Sequence, residues 1–161
     1  MKLMRALSGL LIFFAITATG SIALAGSPDC LDQGKPISID DQQVLTWKTT
    51  TANQFLARGH VLGKIKALYP DHSGHNHFAI QIGPLETDLL EVVYNISFAS
   101  LPQLSEGMTV EACGDYITSN APAAGYPASP DGAIIHWLHR NPSGHGHDAG
   151  FVAIDGIVYG D

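Results

Sequence analysis

Histidines are the most prominent side chains of this sequence that could do chemistry. Eight are present, and all of them lie between residues 60 and 147. Seven fall in three short groups, at 72–77, 136–139 and 145–147. Neutral imidazole binds zinc, copper, nickel and iron well, and a metal site needs three or four ligands that converge from separate segments. The grouping therefore predicts a transition-metal site, with zinc as the favoured ion.

Strand geometry limits which histidines can meet. His75 and His77 share a face only if their strand extends back to His75, because side chains alternate along a strand. His136 and His139 lie on opposite faces of a regular strand, so that both reach one site only at a bulge or a strand end. None of the spacings matches an H-E-x-x-H or C-x-x-C signature. The predicted ligands are His75, His136, His139 and His147.

Three classes of function are compatible with these residues. The first is a protein that binds a metal ion. The second is a metal-dependent hydrolase, of phosphodiesterase or nuclease type, in which Asp148 or Asp71 acts as general base toward a metal-bound water. The third is a metal-free binding module, in which Trp137, Tyr94 and Tyr116 form an aromatic surface for a glycan, a peptide or a single strand. The histidine groups could also be solvated loop residues, and His136 a buried structural histidine.

The elements that must position these residues are mostly strands. Apolar and polar residues alternate with a period of two over 61–68, 77–82, 89–96, 109–117, 133–138 and 151–159, the last with a hairpin turn at Asp155-Gly156. Upstream, Asp40 or Asp41 can begin a short helix whose apolar residues run from Val44 to Leu56. Five or six short strands after one helix predict a small antiparallel OB-like barrel, in which 97–107 occupies the place of the connecting helix.

The first 25 residues read as a secretory signal peptide. Lys2 and Arg5 precede an apolar run over 10–16, and Ala23-Leu24-Ala25 matches a cleavage site before Gly26. We therefore expect a mature chain of 136 residues (161 − 25), secreted or periplasmic, with no membrane anchor after cleavage. Within it, 26–59 forms a lead-in and helix, and 60–161 forms the OB-like β domain.

Charge and cysteines bound the remaining possibilities. Without Lys2 and Arg5 the chain has 6 basic side chains (8 − 2) against 15 acidic ones, a net charge of −9, which disfavours general coating of nucleic acid. A small-molecule or polymer ligand is left unidentified. The acidic run of Glu86, Asp88 and Glu91 is predicted to be a solvated sheet face. Cys30 and Cys113 are predicted to form a disulfide, because paired cysteines are the expectation in an oxidising compartment.

Five short motifs suggest a family. They are His75-Asn76-His77-Phe78, Tyr94-Asn95-Ile96, Gly114-Asp115-Tyr116, the run from Ile135 to Pro142 and the run from His147 to Phe151. On these motifs the chain from about Val61 onward resembles a family of small secreted bacterial proteins, domain of unknown function 3465. The resemblance implies that the site includes His75, Asn95, His136, Trp137, His139 and His147. The chain departs from the family pattern at Tyr94, where the pattern has histidine, at Leu138, where it has threonine, and in a longer loop over 120–132.

Overall fold

A computed structural model describes residues 26–160, so the predicted signal peptide lies outside the described residues. The described chain is mostly β, with one helix of ten residues. The elements are β1 (Leu31–Asp32), β2 (Lys35–Pro36), α1 (Asp41–Thr50), β3 (Leu56–Leu68), β4 (His75–Gln81), β5 (Leu89–Asn95), β6 (Thr109–Thr118), β7 (Ala133–His136), β8 (Phe151–Ile154) and β9 (Ile157–Tyr159).

Five of these strands close into a barrel. The order is β3-β4-β5-β7-β6, and β6 pairs back onto β3. All neighbours are antiparallel except β5 and β7, which run parallel. The long strand β3 can serve both edges because it pairs with β6 through its first part and with β4 through its last, with a register shift between Ile65 and Ala67. The predicted OB-like barrel with a short N-terminal helix is confirmed.

The barrel core follows the predicted alternation. Phe78 and Ile80 of β4 are completely buried, as are Val61 and Ile65 of β3, while Lys64 on the opposite face of β3 is exposed. On β5, β6 and β7 the core residues include Leu90, Val92, Tyr94, Tyr116 and Ile135. The outward face of β4, β5 and β7 therefore remains for other side chains, among them the histidines.

The helix is shorter than the sequence pattern indicates. Asp40 is its N-cap and accepts a hydrogen bond from the Gln43 amide at 2.9 Å. The helix ends at Thr50, and Leu56 already begins the first barrel strand. The threonine run explains the early end, since the hydroxyls of Thr50 and Thr51 bond back to carbonyls four residues earlier and compete with helix continuation.

Two segments differ from their predicted structure. Strand β7 ends at His136 rather than at Leu138. Residues 97–107, between β5 and β6, contain no helix. Ala99, Leu101 and Leu104 of that segment pack against the core without regular structure. The predicted hairpin turn is confirmed, because Asp155 and Gly156 both have positive φ and join β8 to β9.

An N-terminal hairpin, β1 with β2, is fixed to the barrel by a disulfide. Cys30 and Cys113 are bonded, as predicted, and the ring encloses 82 residues (83 − 1). Cys113 lies on the outward face of β6, where it packs with Cys30 and Phe151 in a small second cluster. In the described chain, 26–160, no helix has the length and apolar character needed to span a membrane.

Candidate metal centre

Two of the predicted ligands meet on the outward face of the barrel. Strand β4 does extend back to His75, and His75 and His77 therefore share that face, with ring centroids 6.3 Å apart. His136 ends β7, which lies next to β5 because of the parallel pairing. The His75 and His136 rings meet edge to face with centroids 5.3 Å apart. The contact joins residues 61 positions apart in sequence (136 − 75).

Trp137 turns the chain immediately after β7. Its φ of 58° lies in the left-handed region, which is uncommon for a bulky residue and marks a position held by its surroundings. The indole stacks on His136 with ring centroids 4.5 Å apart and on His147 with centroids 4.9 Å apart. Trp137 thus connects His136 of β7 with His147 of the following loop.

The other two predicted ligands form a second pair. His139 and His147 meet edge to face with centroids 5.4 Å apart. His139 is buried and stacks on Phe98 at 3.6 Å, and its carbonyl accepts a hydrogen bond from the Gly150 amide at 2.8 Å. The strand end that the sequence required for His136 and His139 to reach one region is present, because β7 stops between them.

The spacing within each pair is suitable for a shared ion. Two imidazoles on one tetrahedral zinc, with Zn–N bonds near 2.0–2.1 Å, place their ring centroids about 5 Å apart. Both observed separations, 5.3 and 5.4 Å, agree with that value. As placed in residues 26–160, however, no three His, Cys, Asp or Glu side chains form a group that could hold an ion. The structure therefore places two pairs of imidazoles beside Trp137.

Hydrogen bonds fix the tautomers of several rings. Nδ1 of His75 lies 2.8 Å from the Ser73 carbonyl, Nδ1 of His139 lies 2.7 Å from the Arg140 carbonyl, and Nδ1 of His147 lies 2.7 Å from the Asp148 carbonyl. Because a carbonyl oxygen only accepts, each Nδ1 carries the proton, and in the neutral ring Nε2 has a free lone pair. Backbone carbonyls commonly orient metal-binding histidines in this way.

His136 has an unsatisfied ring nitrogen. Its Nε2 is buried and has no hydrogen-bond partner within residues 26–160. Burial first, and then the neighbouring histidines beginning with His75, together lower the pKa of His136 to about 4. Burial also lowers the pKa of His139, against the opposing effect of its bond to the Arg140 carbonyl. Both rings are neutral at pH 7, which is the protonation state that a metal ligand needs.

His77 and Glu91 form a buried pair that the spacing of the histidines does not predict. Nδ1 of His77 lies 2.8 Å from Oε1 of Glu91, both side chains are largely buried, and Nε2 of His77 has no partner in the described chain. The interpretation of Glu91 as part of a solvated face is wrong. A carboxylate between apolar residues of a strand, Leu90 and Val92, was the signal that could have revealed this pair.

The two candidate bases are engaged elsewhere. The Asp71 carboxylate accepts a hydrogen bond from the side-chain amide of Asn76 at 2.8 Å, and the Asp148 carboxylate accepts one from the Gln33 amide in the N-terminal hairpin. Asn95 pairs with His75 across β4 and β5, and its side-chain oxygen accepts from the Ser97 amide and hydroxyl. These contacts order the loops that surround the histidines, and the catalytic roles stay predictions.

The predicted aromatic surface is wrong in two of its three members. Tyr94 and Tyr116 point into the barrel and are completely buried, whereas Trp137 is 38% exposed. The Tyr94 hydroxyl is buried and has no partner within the described residues. Tyr126 is the aromatic side chain that is exposed near Trp137, on the long loop over 119–132.

Comparison of the chain with protein-family models, with curated proteins and with solved structures gave no match. The resemblance to the family of unknown function therefore stays a prediction.

Proposed function

We propose that the protein binds a divalent transition-metal ion, zinc in the first instance, through the imidazoles on either side of Trp137. The His75–His136 pair is the primary half-site, and the His139–His147 pair is the second. The observation that carries the proposal is the buried Nε2 of His136, which has no partner in the described chain while a second imidazole lies 5.3 Å away. A buried polar atom without a partner costs about 1–3 kcal/mol, and a metal ion would remove that cost.

Zinc titration of purified protein tests this proposal. We expect His136→Ala to lower zinc affinity at least tenfold, because it removes the imidazole that adjoins His75. His145→Ala is the matched control, since His145 is exposed in the same part of the chain and makes none of the ring contacts described above. Isothermal titration calorimetry gives affinity and stoichiometry together. Equal affinity of the parent and His136→Ala proteins would exclude His136 as a ligand.

A double variant separates the two half-sites. His139→Ala/His147→Ala should reduce zinc affinity if one ion uses both pairs, and should reduce stoichiometry from two to one if each pair holds its own ion. A titration identical to that of the parent protein would remove the second pair from the proposal.

Metal-dependent hydrolysis has less support from the structure than metal binding alone. The candidate bases, Asp71 and Asp148, accept hydrogen bonds from Asn76 and Gln33, and neither contacts the histidine pairs through the bonds described here. No observation favours hydrolysis over binding alone.

We also propose that the chain is exported and processed before Gly26. The Cys30–Cys113 disulfide supports this, because such bonds persist in oxidising compartments. The intact mass of the protein recovered from a bacterial host tests it. We expect the mass of residues 26–161 less two hydrogens. A full-length mass with free thiols would contradict both export and oxidation.

A further inference from the structure

A cleft of about 660 Å³ opens beside the primary half-site. It lies on the outward face of β4, β5 and β7, between the β3–β4 loop over 69–74 and the β6–β7 loop over 119–132. In OB-folds the second and third barrel strands, with the loops that correspond to these two, form the usual ligand-binding face. The volume lies within the range of about 300–1,000 Å³ typical of small-molecule sites.

The walls of this cleft are mainly apolar. Pro70, Pro127, Ile134 and Trp137 are among the residues that line it. Two of its hydroxyls are engaged within the protein: Tyr69 donates to Asp131 at 3.0 Å, and Ser129 donates to the Ala133 carbonyl at 3.2 Å. A sugar would need many polar partners, whereas these walls match a flat apolar body.

Imidazole rings from two strands contribute to the polar lining of the cleft. His75, His77 and His136 all line it. The His77 residue is 7% exposed, and its Nε2 is one of the buried nitrogens without a partner in the described chain. Because Nδ1 of His77 is taken by Glu91, only Nε2 is available to a ligand or to an ion. Nε2 of His136 is the second such nitrogen.

The cleft has little uncompensated charge. Among the lining residues that the structure describes, Glu91 is the one Asp, Glu, Lys or Arg side chain, and it is paired with His77. Among these lining residues, therefore, no unpaired charged group is placed to hold a charged ligand body. The charge or lone pair of the ligand must meet the imidazole end.

We propose that this cleft binds a small aromatic molecule that carries a metal-coordinating head group, with the head at His75 and His136 and the aromatic ring between the two loops. The inference rests on the proposed function, since the head binds the ion held by that half-site. His75 and His136, the residues that would hold this ion, are both part of the lining of the cleft.

Three probes test this inference by calorimetry on zinc-loaded and zinc-free protein. 2-Naphthohydroxamic acid has head and ring, acetohydroxamic acid has the head alone, and 2-naphthamide has the ring without the chelating head. We expect 2-naphthohydroxamic acid to bind the zinc-loaded protein at least tenfold more tightly than either of the other two. It should also bind at least tenfold more tightly than it binds the zinc-free protein.

A pair of variants locates the aromatic ring. Ala128→Trp fills the cleft from the long loop, because Ala128 lines it, and should weaken 2-naphthohydroxamic acid at least tenfold while zinc affinity stays within twofold. Ala121→Trp makes the same change in the same loop at an exposed residue outside the lining and should leave both affinities unchanged.

The outcomes separate the two proposals. Zinc uptake with equal affinities for 2-naphthohydroxamic and acetohydroxamic acids overturns the cleft inference and leaves the proposed function intact. Equal effects of Ala128→Trp and Ala121→Trp also overturn the cleft inference. Absence of zinc uptake overturns the proposed function, and with it the inference that rests on it.

Discussion

His136 brings together most of the unusual features of this molecule at the scale of single residues. It is the last residue of β7, its ring contacts His75 and Trp137, and its Nε2 is buried without a partner in the described chain. Burial disfavours protonation of this ring and lowers its pKa, and so do the neighbouring imidazoles. A ring that stays neutral and keeps a free lone pair inside a protein is suited to bind a cation.

The lowered pKa of His136 predicts how stability of the metal-free protein depends on pH. The folded value is about 4, against an unfolded value near 6.5, so the unfolded chain binds the proton more readily. The neutral ring therefore contributes stability that is fully present above about pH 6.5 and is lost as pH falls toward 4. The contribution amounts to roughly 3 kcal/mol.

Urea unfolding at pH 7.5 and 4.5 measures this dependence. We expect the free energy of unfolding of the parent protein to fall by about 2–3 kcal/mol more than that of His136→Gln over this interval. Other groups titrate in both proteins, so the difference isolates His136. Parallel pH profiles would show that the ring is not desolvated in the folded state.

At the scale of elements, Arg58 of β3 links three segments around the site. Its Nε donates to the Leu31 carbonyl of the N-terminal hairpin, and a second nitrogen donates to the Ala149 carbonyl in the loop that carries His147. The third forms an ion pair with Asp115 at 2.9 Å, and both side chains are largely buried. Asp115 lies opposite His136 in the pairing of β6 and β7. This guanidinium therefore orders the elements beside both histidine pairs.

Removing this guanidinium should destabilise the fold. We expect Arg58→Met to lower the free energy of unfolding by about 3–5 kcal/mol, since Asp115 is left buried and unpaired. The double variant Arg58→Met/Asp115→Leu should recover at least half of the loss, because no unpaired charge remains. Urea unfolding of the three proteins measures both effects. A cost below 1 kcal/mol for Arg58→Met would mean that Asp115 is solvated.

The order of the strands decides which histidines can meet. The parallel pairing of β5 with β7 leaves only β5 between β7 and β4. His136 therefore reaches His75 across β5. Gly114 of β6 allows β7 to approach closely, because a Cβ there would collide with the His136 carbonyl. Neither relation can be read from spacing along the chain.

At the scale of the whole molecule, a covalent ring and a closed barrel hold a small chain together. Closing the 82-residue ring removes conformational entropy from the unfolded chain. By this chain-entropy account, the disulfide contributes about 4–5 kcal/mol to the free energy of unfolding. For a domain of this size that is a large share of the total stability. The disulfide also fixes the N-terminal hairpin, whose Gln33 amide bonds to Asp148 of the histidine loop.

Local patterns predicted much of the fold. Period-two alternation located the barrel strands, the Asp-Gly turn joined β8 to β9, and Cys30 and Cys113 indicated their own pairing. The predicted ends of the helix and of β7 were wrong because both depend on local competition. Threonine hydroxyls bond to helix carbonyls at the end of α1. The left-handed conformation of Trp137 ends the strand geometry of β7. Burial of Glu91 depended on its partner His77, fourteen residues away.

The sequence alone determined the β class, the disulfide, and which histidines were candidates, because residue periodicity and residue chemistry are local properties. Only the tertiary structure decided that the candidates form two pairs beside Trp137, that His77 pairs with Glu91, and that a cleft opens beside His75 and His136. These depend on barrel closure, which brings strands distant in sequence within contact and sets the register that no single segment encodes.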